Sequence, residues 1–95
     1  MFVLITYDVN TETTNGRKRL RQVAKACQDY GQRVQNSVFE CEVDAGLFLK
    51  VKERLIRLID VEQDSLRFYK LGNDYRNVER FGAKPSFNVT ESLIA

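Results

Sequence analysis

The side chains of this sequence that could take part in chemistry are carboxylates and cations, because the chain contains no histidine. Without histidine there is no common general base near neutral pH, little scope for zinc chemistry, and no Ser-His or Cys-His triad. Catalysis would therefore depend on carboxylates, a bound metal ion, Tyr, Lys or Cys. The two cysteines, Cys27 and Cys41, lack metal-ligand spacing, and we expect them to be packed thiols in a reducing cytoplasm.

Asp8 is the carboxylate best placed for a functional site, because it ends an apolar segment that begins at Phe2. A carboxylate at the end of a buried strand either bonds its own backbone in a turn or is held by the sheet as a functional group. From its position alone, the turn is the simpler interpretation and the functional one stays open. We expect the neighbouring Tyr7 to be a packed ring rather than a base.

The cations are concentrated on one face of a predicted helix over residues 16–30. Arg19 lies at the border of a sector of ~100° that holds the other cations of this face, namely Arg17, Lys18, Arg21 and Lys25. This sector lacks acidic partners until Asp29, and its first cations crowd the helix N-terminus, where the helix dipole disfavours positive charge. A bound phosphate would compensate. We therefore predict contact with nucleic-acid phosphate, with an ordinary solvated surface as the alternative.

The predicted elements that position these residues form one α+β domain over residues 1–82. They are a strand over 2–8, the helix over 16–30, a strand over 33–43 with a bulge near Asn36-Ser37, a helix over 45–60, a strand over 65–71 and a short strand over 78–81. We assign them to the ferredoxin-like fold, a βαββαβ sandwich whose antiparallel sheet carries two helices on one face. The tail, residues 83–95, is expected to be loose or to add an edge strand to a partner subunit.

Size and hydropathy limit the possible functions. A chain of 95 residues has a thin core that a homodimer would support. No apolar run approaches the ~18 residues of a membrane span, and the start does not resemble a signal peptide. The strand pattern of RNA-recognition motifs and the glycine pattern of phosphate-binding loops are both absent.

Three segments together are specific enough to indicate a family. They are residues 5–9 (Ile-Thr-Tyr-Asp-Val), 19–25 (Arg-Leu-Arg-Gln-Val-Ala-Lys) and 30–40 (Tyr-Gly-Gln-Arg-Val-Gln-Asn-Ser-Val-Phe-Glu). In this order they closely resemble the CRISPR-associated protein 2 family. Residues 64–69 (Asp-Ser-Leu-Arg-Phe-Tyr) and 82–85 (Gly-Ala-Lys-Pro) are similar to the branch found with type I-C systems.

The resemblance implies a homodimer that acts in CRISPR spacer acquisition beside the CRISPR-associated protein 1 integrase. Two activities are implied: a Mg²⁺-dependent endonuclease acting on double-stranded DNA, or on RNA, and a non-catalytic DNA-binding scaffold that bridges the integrase subunits. The family aspartate falls on Asp8, as catalytic residue and metal ligand. The family positions near the site fall on Tyr7, Arg33, Ser37 and Phe39. Candidate nucleic-acid contacts are Arg17, Lys18, Arg19, Arg21, Lys25 and Arg33.

The interpretation that combines these observations is a metal-dependent phosphodiesterase. In a two-fold dimer the two Asp8 side chains would face each other across the axis. Mg²⁺ takes one or two carboxylates together with water and substrate phosphate, so two aspartates would suffice. The basic helix serves the scaffold equally well, and only Asp8 distinguishes the two functions.

Overall fold

The computed structural model describes residues 1–71 and 78–82, which form a five-stranded antiparallel sheet covered on one face by two helices. The strands are β1 (Phe2–Asp8), β2 (Gly31–Gln35), β3 (Val38–Glu42), β4 (Ser65–Leu71) and β5 (Val78–Gly82), and the helices are α1 (Thr14–Gln28) and α2 (Ala45–Leu58). The sheet order is β2-β3-β1-β4-β5, with β1 at the centre. The predicted ferredoxin-like fold is confirmed, whereas the predicted tail, residues 83–95, lies outside the described residues.

The central strand β1 directs alternate side chains to opposite faces of the sheet. The side chains that join the core beneath the helices are those of Val3, Ile5 and Tyr7. The side chains of the other parity are those of Leu4, Thr6 and Asp8. Leu4 packs instead with Val38 and Tyr69 in a separate small cluster. We call the side of the sheet that carries this cluster the helix-free face.

The two helices close the main core over the sheet. The buried residues of α1 include Val23, Ala26 and Cys27, and those of α2 are Phe48, Val51 and Leu55. Cys27 and Cys41 are buried free thiols, as predicted. Burial raises the pKa of Cys27 to about 12 and that of Cys41 to about 11, so both thiols stay protonated at neutral pH.

The α1 helix begins two residues earlier than predicted because Thr13 caps it. The Thr13 hydroxyl accepts a hydrogen bond from the Gly16 N–H at 3.0 Å, which satisfies one of the free donors of the first turn. The helix ends at Gln28. Neither helix within residues 1–71 and 78–82 is long and apolar enough to cross a membrane.

The prediction of one bulged strand over residues 33–43 is wrong, because β2 and β3 form a hairpin there. Gln35 is paired with Val38, which leaves Asn36 and Ser37 as the turn, and Ser37 has a left-handed φ of 62°. The pairing of β2 with β3 is itself irregular between Arg33 and Gln35. After the turn, Val38 packs on the helix-free face while Phe39 joins the core beneath the helices, so this strand is buried on both faces. The hairpin supplies the two consecutive strands that the βαββαβ order requires.

Candidate functional site

Asp8 lies at the end of the central strand, with its backbone paired to β4. It is half-buried and stands directly opposite Ser65 in the antiparallel register. Because Tyr7 and Val9 on either side belong to the core beneath the helices, the Asp8 side chain belongs to the helix-free face. The sheet therefore fixes the position of this carboxylate, as the functional interpretation of Asp8 requires.

Two hydroxyl side chains share the helix-free face with Asp8. Thr6, two residues earlier on β1, and Ser65 on β4 each bury a hydroxyl there. Among the described residues, no group of three or more Asp, Glu, Cys or His side chains is arranged to hold a metal ion. Carboxylate and hydroxyl oxygens are hard donors of the kind that Mg²⁺ prefers, and Mg²⁺ needs only one or two protein carboxylates.

The other predicted near-site residues come together on the opposite side of the sheet. The Tyr7 ring stacks on Phe39 with 6.2 Å between ring centres, and the Arg33 guanidinium carbon lies 5.1 Å from the centre of the Phe39 ring. The Tyr7 N–H donates to the Ser37 carbonyl at 3.2 Å. These residues are neighbours, but alternation along β1 directs Tyr7 toward the helices and Asp8 away from them.

A shallow cleft of about 250 Å³ opens where this cluster meets α1. Its lining residues are Tyr7, Leu20, Arg21, Ala24, Arg33, Asn36 and Ser37. Burial raises the pKa of Tyr7, with a further rise from the Cys27 thiol, and these effects outweigh the opposing influence of Arg33 and of the Ser37 side chain. Tyr7 is therefore a protonated, packed phenol, as predicted.

The exposed cations of α1 form a continuous surface, which we call the basic face. Its members are Arg17, Lys18, Arg21 and Lys25, all exposed. Hydrogen bonds from the Arg17 guanidinium to the Thr11 carbonyl at 3.3 Å and the Thr14 hydroxyl at 3.2 Å hold it beside the helix N-terminus. The first turn contains no acidic residue. Arg33 is exposed on β2, across the cleft from Arg21.

Arg19 differs from these cations because its guanidinium is engaged inside the protein. Its Nε donates to Asp64 Oδ2 at 2.8 Å and its Nη2 donates to Oδ1 at 3.3 Å. Sequence reasoning grouped Arg19 with the phosphate contacts, whereas the structure uses its charge to neutralise a buried carboxylate. We therefore leave Arg19 out of the basic face.

Asp64 is the residue that sequence reasoning missed. Its side chain is fully buried and also accepts hydrogen bonds from the backbone N–H groups of Asn10 and Asp60, each at 2.9 Å. Burial alone would raise the pKa of Asp64, but the hydrogen bonds from Arg19 and from these two backbone groups outweigh it, so the pKa is lowered. No local pattern marks Asp64, because Arg19 is 45 positions away in the chain.

This carboxylate joins three segments around the candidate site. Through Asn10 it holds the loop that leaves Asp8, through Arg19 it holds α1, and through Asp60 it holds the connection between α2 and β4. Ser65, the residue opposite Asp8, follows it directly. Asp64 therefore fixes both the loop after Asp8 and the strand beside it.

Comparisons with known proteins agree on one family. A family model described as CRISPR associated protein Cas2 matches residues 1–78. The chain is 61% identical over 95 residues to a CRISPR-associated endonuclease Cas2 of Halalkalibacterium halodurans, covering 99% of each chain. It is 57% identical over 95 residues to a CRISPR-associated endoribonuclease Cas2 of Nitratidesulfovibrio vulgaris, covering 99% of this chain and 93% of that relative. The crystal structure of Streptococcus pyogenes Cas2 at pH 6.5 aligns with a TM-score of 0.71 and 63% identity, over 80% of this chain and 92% of that one.

Proposed function

Because this chain belongs to the CRISPR-associated Cas2 family, we propose that it is a Mg²⁺-dependent endonuclease of CRISPR spacer acquisition. It hydrolyses phosphodiester bonds of nucleic acid, with double-stranded DNA as the favoured substrate and RNA as the second candidate. The observation that carries the proposal is the placement of Asp8 at the end of the central strand, where the sheet holds its carboxylate.

The helix-free face supports a two-fold homodimer. Phe2 and Leu71 are paired neighbours at the start of β1 and the end of β4, and they leave 45% and 36% of their surface exposed. They share this face with Leu4 and Tyr69. Apolar side chains at the surface of a small domain favour burial against a second copy. Because Asp8 belongs to the same face, a two-fold axis through it would bring two Asp8 carboxylates toward each other.

Asp8 fits a magnesium site of this shared kind. Its carboxylate from each subunit would hold the ion, and water and substrate phosphate would complete the oxygen ligands. When bound, Mg²⁺ supplies charge that polarises the phosphate and lowers the pKa of water, which suits a protein without histidine. The contribution of the chain itself is to hold each carboxylate on a paired strand rather than on a loop.

The basic face of α1, together with Arg33, would bind the nucleic-acid backbone. Its side chains are exposed, and the first turn of α1 contains no acidic residue. The basic face also includes the helix N-terminus, whose N–H groups attract anions. Contacts of this kind fix position on a duplex without selecting its sequence.

The separation of the two features supports a second candidate function. The basic face lies on the helix side of the sheet, whereas Asp8 lies on the helix-free face. Duplex binding therefore does not require Asp8, and the chain could act as a non-catalytic scaffold that bridges subunits of the CRISPR-associated protein 1 integrase in the cytoplasm.

Removal of the metal tests the proposed activity. Purified protein should cleave nucleic acid in millimolar Mg²⁺ and lose cleavage in excess EDTA, because the proposed reaction depends on the charge of the ion at the phosphate. Labelled duplex DNA and RNA of the same sequence should be assayed in parallel, since the two relatives described above are named endonuclease and endoribonuclease. Equal cleavage in EDTA would contradict the metal requirement, and no cleavage in either condition would favour the scaffold.

The second prediction concerns the salt dependence of duplex binding by the basic face. The triple variant Arg17→Ala, Lys18→Ala and Arg21→Ala should weaken binding to all duplex sequences equally. Each lost phosphate contact should reduce the slope of log K against log salt concentration by about one, so by roughly three for the triple variant. Fluorescence anisotropy with two unrelated duplexes over a range of KCl concentrations measures both quantities.

The matched control removes exposed cations from the other helix. Lys50→Ala with Arg57→Ala changes two exposed positions of α2 and should leave the salt slope at its wild-type value. A wild-type slope for the triple variant, or an equal loss for the α2 variant, would place the duplex elsewhere.

A further inference from the structure

Ser65 is the side chain that the sheet places closest to Asp8 on the neighbouring strand. The β1–β4 register pairs the two residues directly. Leu66, the next residue on β4, belongs to the core beneath the helices, so Ser65 belongs to the helix-free face with Asp8. Directly opposed residues of an antiparallel pair have Cβ atoms about 4.5–5.5 Å apart, which is within reach of a hydroxyl and a carboxylate.

The Ser65 hydroxyl has an unmet hydrogen bond. Ser65 is 2% exposed, and its Oγ has no hydrogen-bond partner among the described residues. Burial of a hydroxyl without a partner destabilises the folded state, so such a group in a native structure calls for an explanation. Thr6 Oγ1 is also buried without a hydrogen-bond partner among the described residues and belongs to the same face. Thr6 is on the same strand as Asp8, however, and its partner on β4 is Arg67.

The backbone around Ser65 is held firmly. Asp64, directly before it, accepts hydrogen bonds from Arg19, Asn10 and Asp60. Gly82, its partner on β5, has a left-handed φ of 103°, and a Cβ there would clash with the Asp64 carbonyl. Ser65 therefore has Asp8 directly opposite on one strand and a glycine on the other, and the Asp8 carboxylate can accept a hydrogen bond from its hydroxyl.

We propose that Ser65 is a positioning residue: when a cation is bound, its hydroxyl donates a hydrogen bond to the Asp8 carboxylate and orients it toward the cation. The bond requires a rotation about the Cα–Cβ bond of Ser65, because its Oγ has no hydrogen-bond partner among the described residues in the present conformation. The hydroxyl hydrogen can then turn toward its acceptor. Carboxylates that hold a metal ion are themselves hydrogen-bonded, and this second contact fixes which oxygen faces the ion. The inference rests on the proposed function, in which Asp8 is the metal ligand.

Ser65→Ala tests the proposal by two measurements, the thermal midpoint without metal and the response to Mg²⁺. If Ser65 were only structural, the substitution would lower both. The thermal midpoint without metal should stay the same or rise, because an unpartnered buried hydroxyl is removed. After EDTA treatment and addition of Mg²⁺, the rise in thermal midpoint should be smaller than in the wild type. The Mg²⁺ concentration for half-maximal cleavage should rise by about tenfold, a small effect for losing a residue that hydrogen-bonds to a metal ligand.

Two further variants make the test specific. Ser65→Thr keeps the hydroxyl and should keep the Mg²⁺ response at or near the wild-type value. Thr6→Val removes the other unpartnered hydroxyl of the helix-free face at equal volume and should leave the Mg²⁺ response unchanged, because Thr6 is not opposite Asp8. A lower metal-free midpoint for Ser65→Ala, or an equal loss of Mg²⁺ response in Thr6→Val, would overturn the proposal.

Asp8→Asn, measured beside these variants, separates the two possible failures. If Asp8→Asn loses the thermal response to Mg²⁺ and Ser65→Ala keeps it, only the role of Ser65 is overturned. If Asp8→Asn keeps the wild-type response, the metal assignment of Asp8 fails and the role of Ser65 fails with it.

Discussion

Asp8→Asn should lower Mg²⁺-dependent cleavage by about a hundredfold or more, while duplex affinity and dimer formation stay at their wild-type values. The amide keeps the size of the side chain and the pairing of β1 with β4, but it removes the charge that would hold the cation. Binding should persist because the basic face lies on the other side of the sheet. Cleavage rates, anisotropy and sedimentation velocity on the same preparation measure the three quantities.

A carboxylate elsewhere on the helix-free face provides the matched control. Glu40 is exposed on β3, where its neighbours Phe39 and Cys41 belong to the core. Glu40→Gln therefore removes one negative charge from the same face without touching the end of β1, and it should cleave at the wild-type rate. Cleavage by Asp8→Asn at the wild-type rate would reject the catalytic assignment and leave the scaffold function standing.

Asp64→Asn should lower the free energy of unfolding at neutral pH by about 3 kcal/mol, the scale for breaking a buried ion pair by removing one partner. The amide cannot accept all the hydrogen bonds that Arg19, Asn10 and Asp60 donate, and it leaves the Arg19 charge without its counter-ion. The loss is large relative to the total stability of a small domain. Urea denaturation followed by circular dichroism measures it.

The difference in unfolding free energy between wild type and Asp64→Asn should depend on pH. The pKa of Asp64 is lowered in the folded protein, so the ionised carboxylate contributes its full stability above the unfolded pKa of about 4. That contribution disappears as the pH falls through the lower, folded pKa. The stability difference between wild type and Asp64→Asn should therefore be constant from pH 7 to about 5 and should shrink below about 4.

The exposed ion pair between Arg54 and Asp29 serves as the control for Asp64. Its two side chains are 42% and 43% exposed, although their separation of 2.9 Å is close to that of the Arg19–Asp64 pair. Solvent screens exposed pairs, so Asp29→Asn should leave the unfolding midpoint almost unchanged. An equal cost for the two substitutions, or a stability difference that does not change between pH 7 and pH 3, would contradict the role given to Asp64.

Periodicity predicted the elements that bury a regular face. β4 has the predicted limits, and both helices overlap their predicted ranges, because their apolar residues repeat at strand or helix spacing. The β2–β3 hairpin was missed because its turn residues, Asn36 and Ser37, include no glycine or proline, and because Val38 and Phe39 bury opposite faces of one strand, which breaks a simple alternation. The turn includes Ser37 with a left-handed φ. Glycine is the residue that usually indicates such a conformation in a sequence, and serine does not.

The site was predictable only where its residues act through local position. Asp8 stands out as a carboxylate at the end of an apolar segment, and the exposed cations of α1 follow from helical spacing. Helical spacing placed Arg19 at the border of their sector, but it did not show the ion pair with Asp64, which is 45 positions away in the chain. The grouping of Tyr7 with Asp8 came from the family resemblance, although adjacent residues of a strand point to opposite faces.

Because β1 directs its side chains to two different faces of the sheet, its pairing register affects both the fold and the candidate site. A slip of one residue in its pairing would exchange the two sets of side chains, moving Asp8 into the apolar core and Tyr7 out of it. Such a chain would lose its fold together with its site, so strand slippage cannot produce a well-folded but inactive fraction. Loss of activity on storage or after mutation should then be accompanied by loss of folded protein, unless the change touches the carboxylate, its hydroxyl neighbour or the basic face of α1.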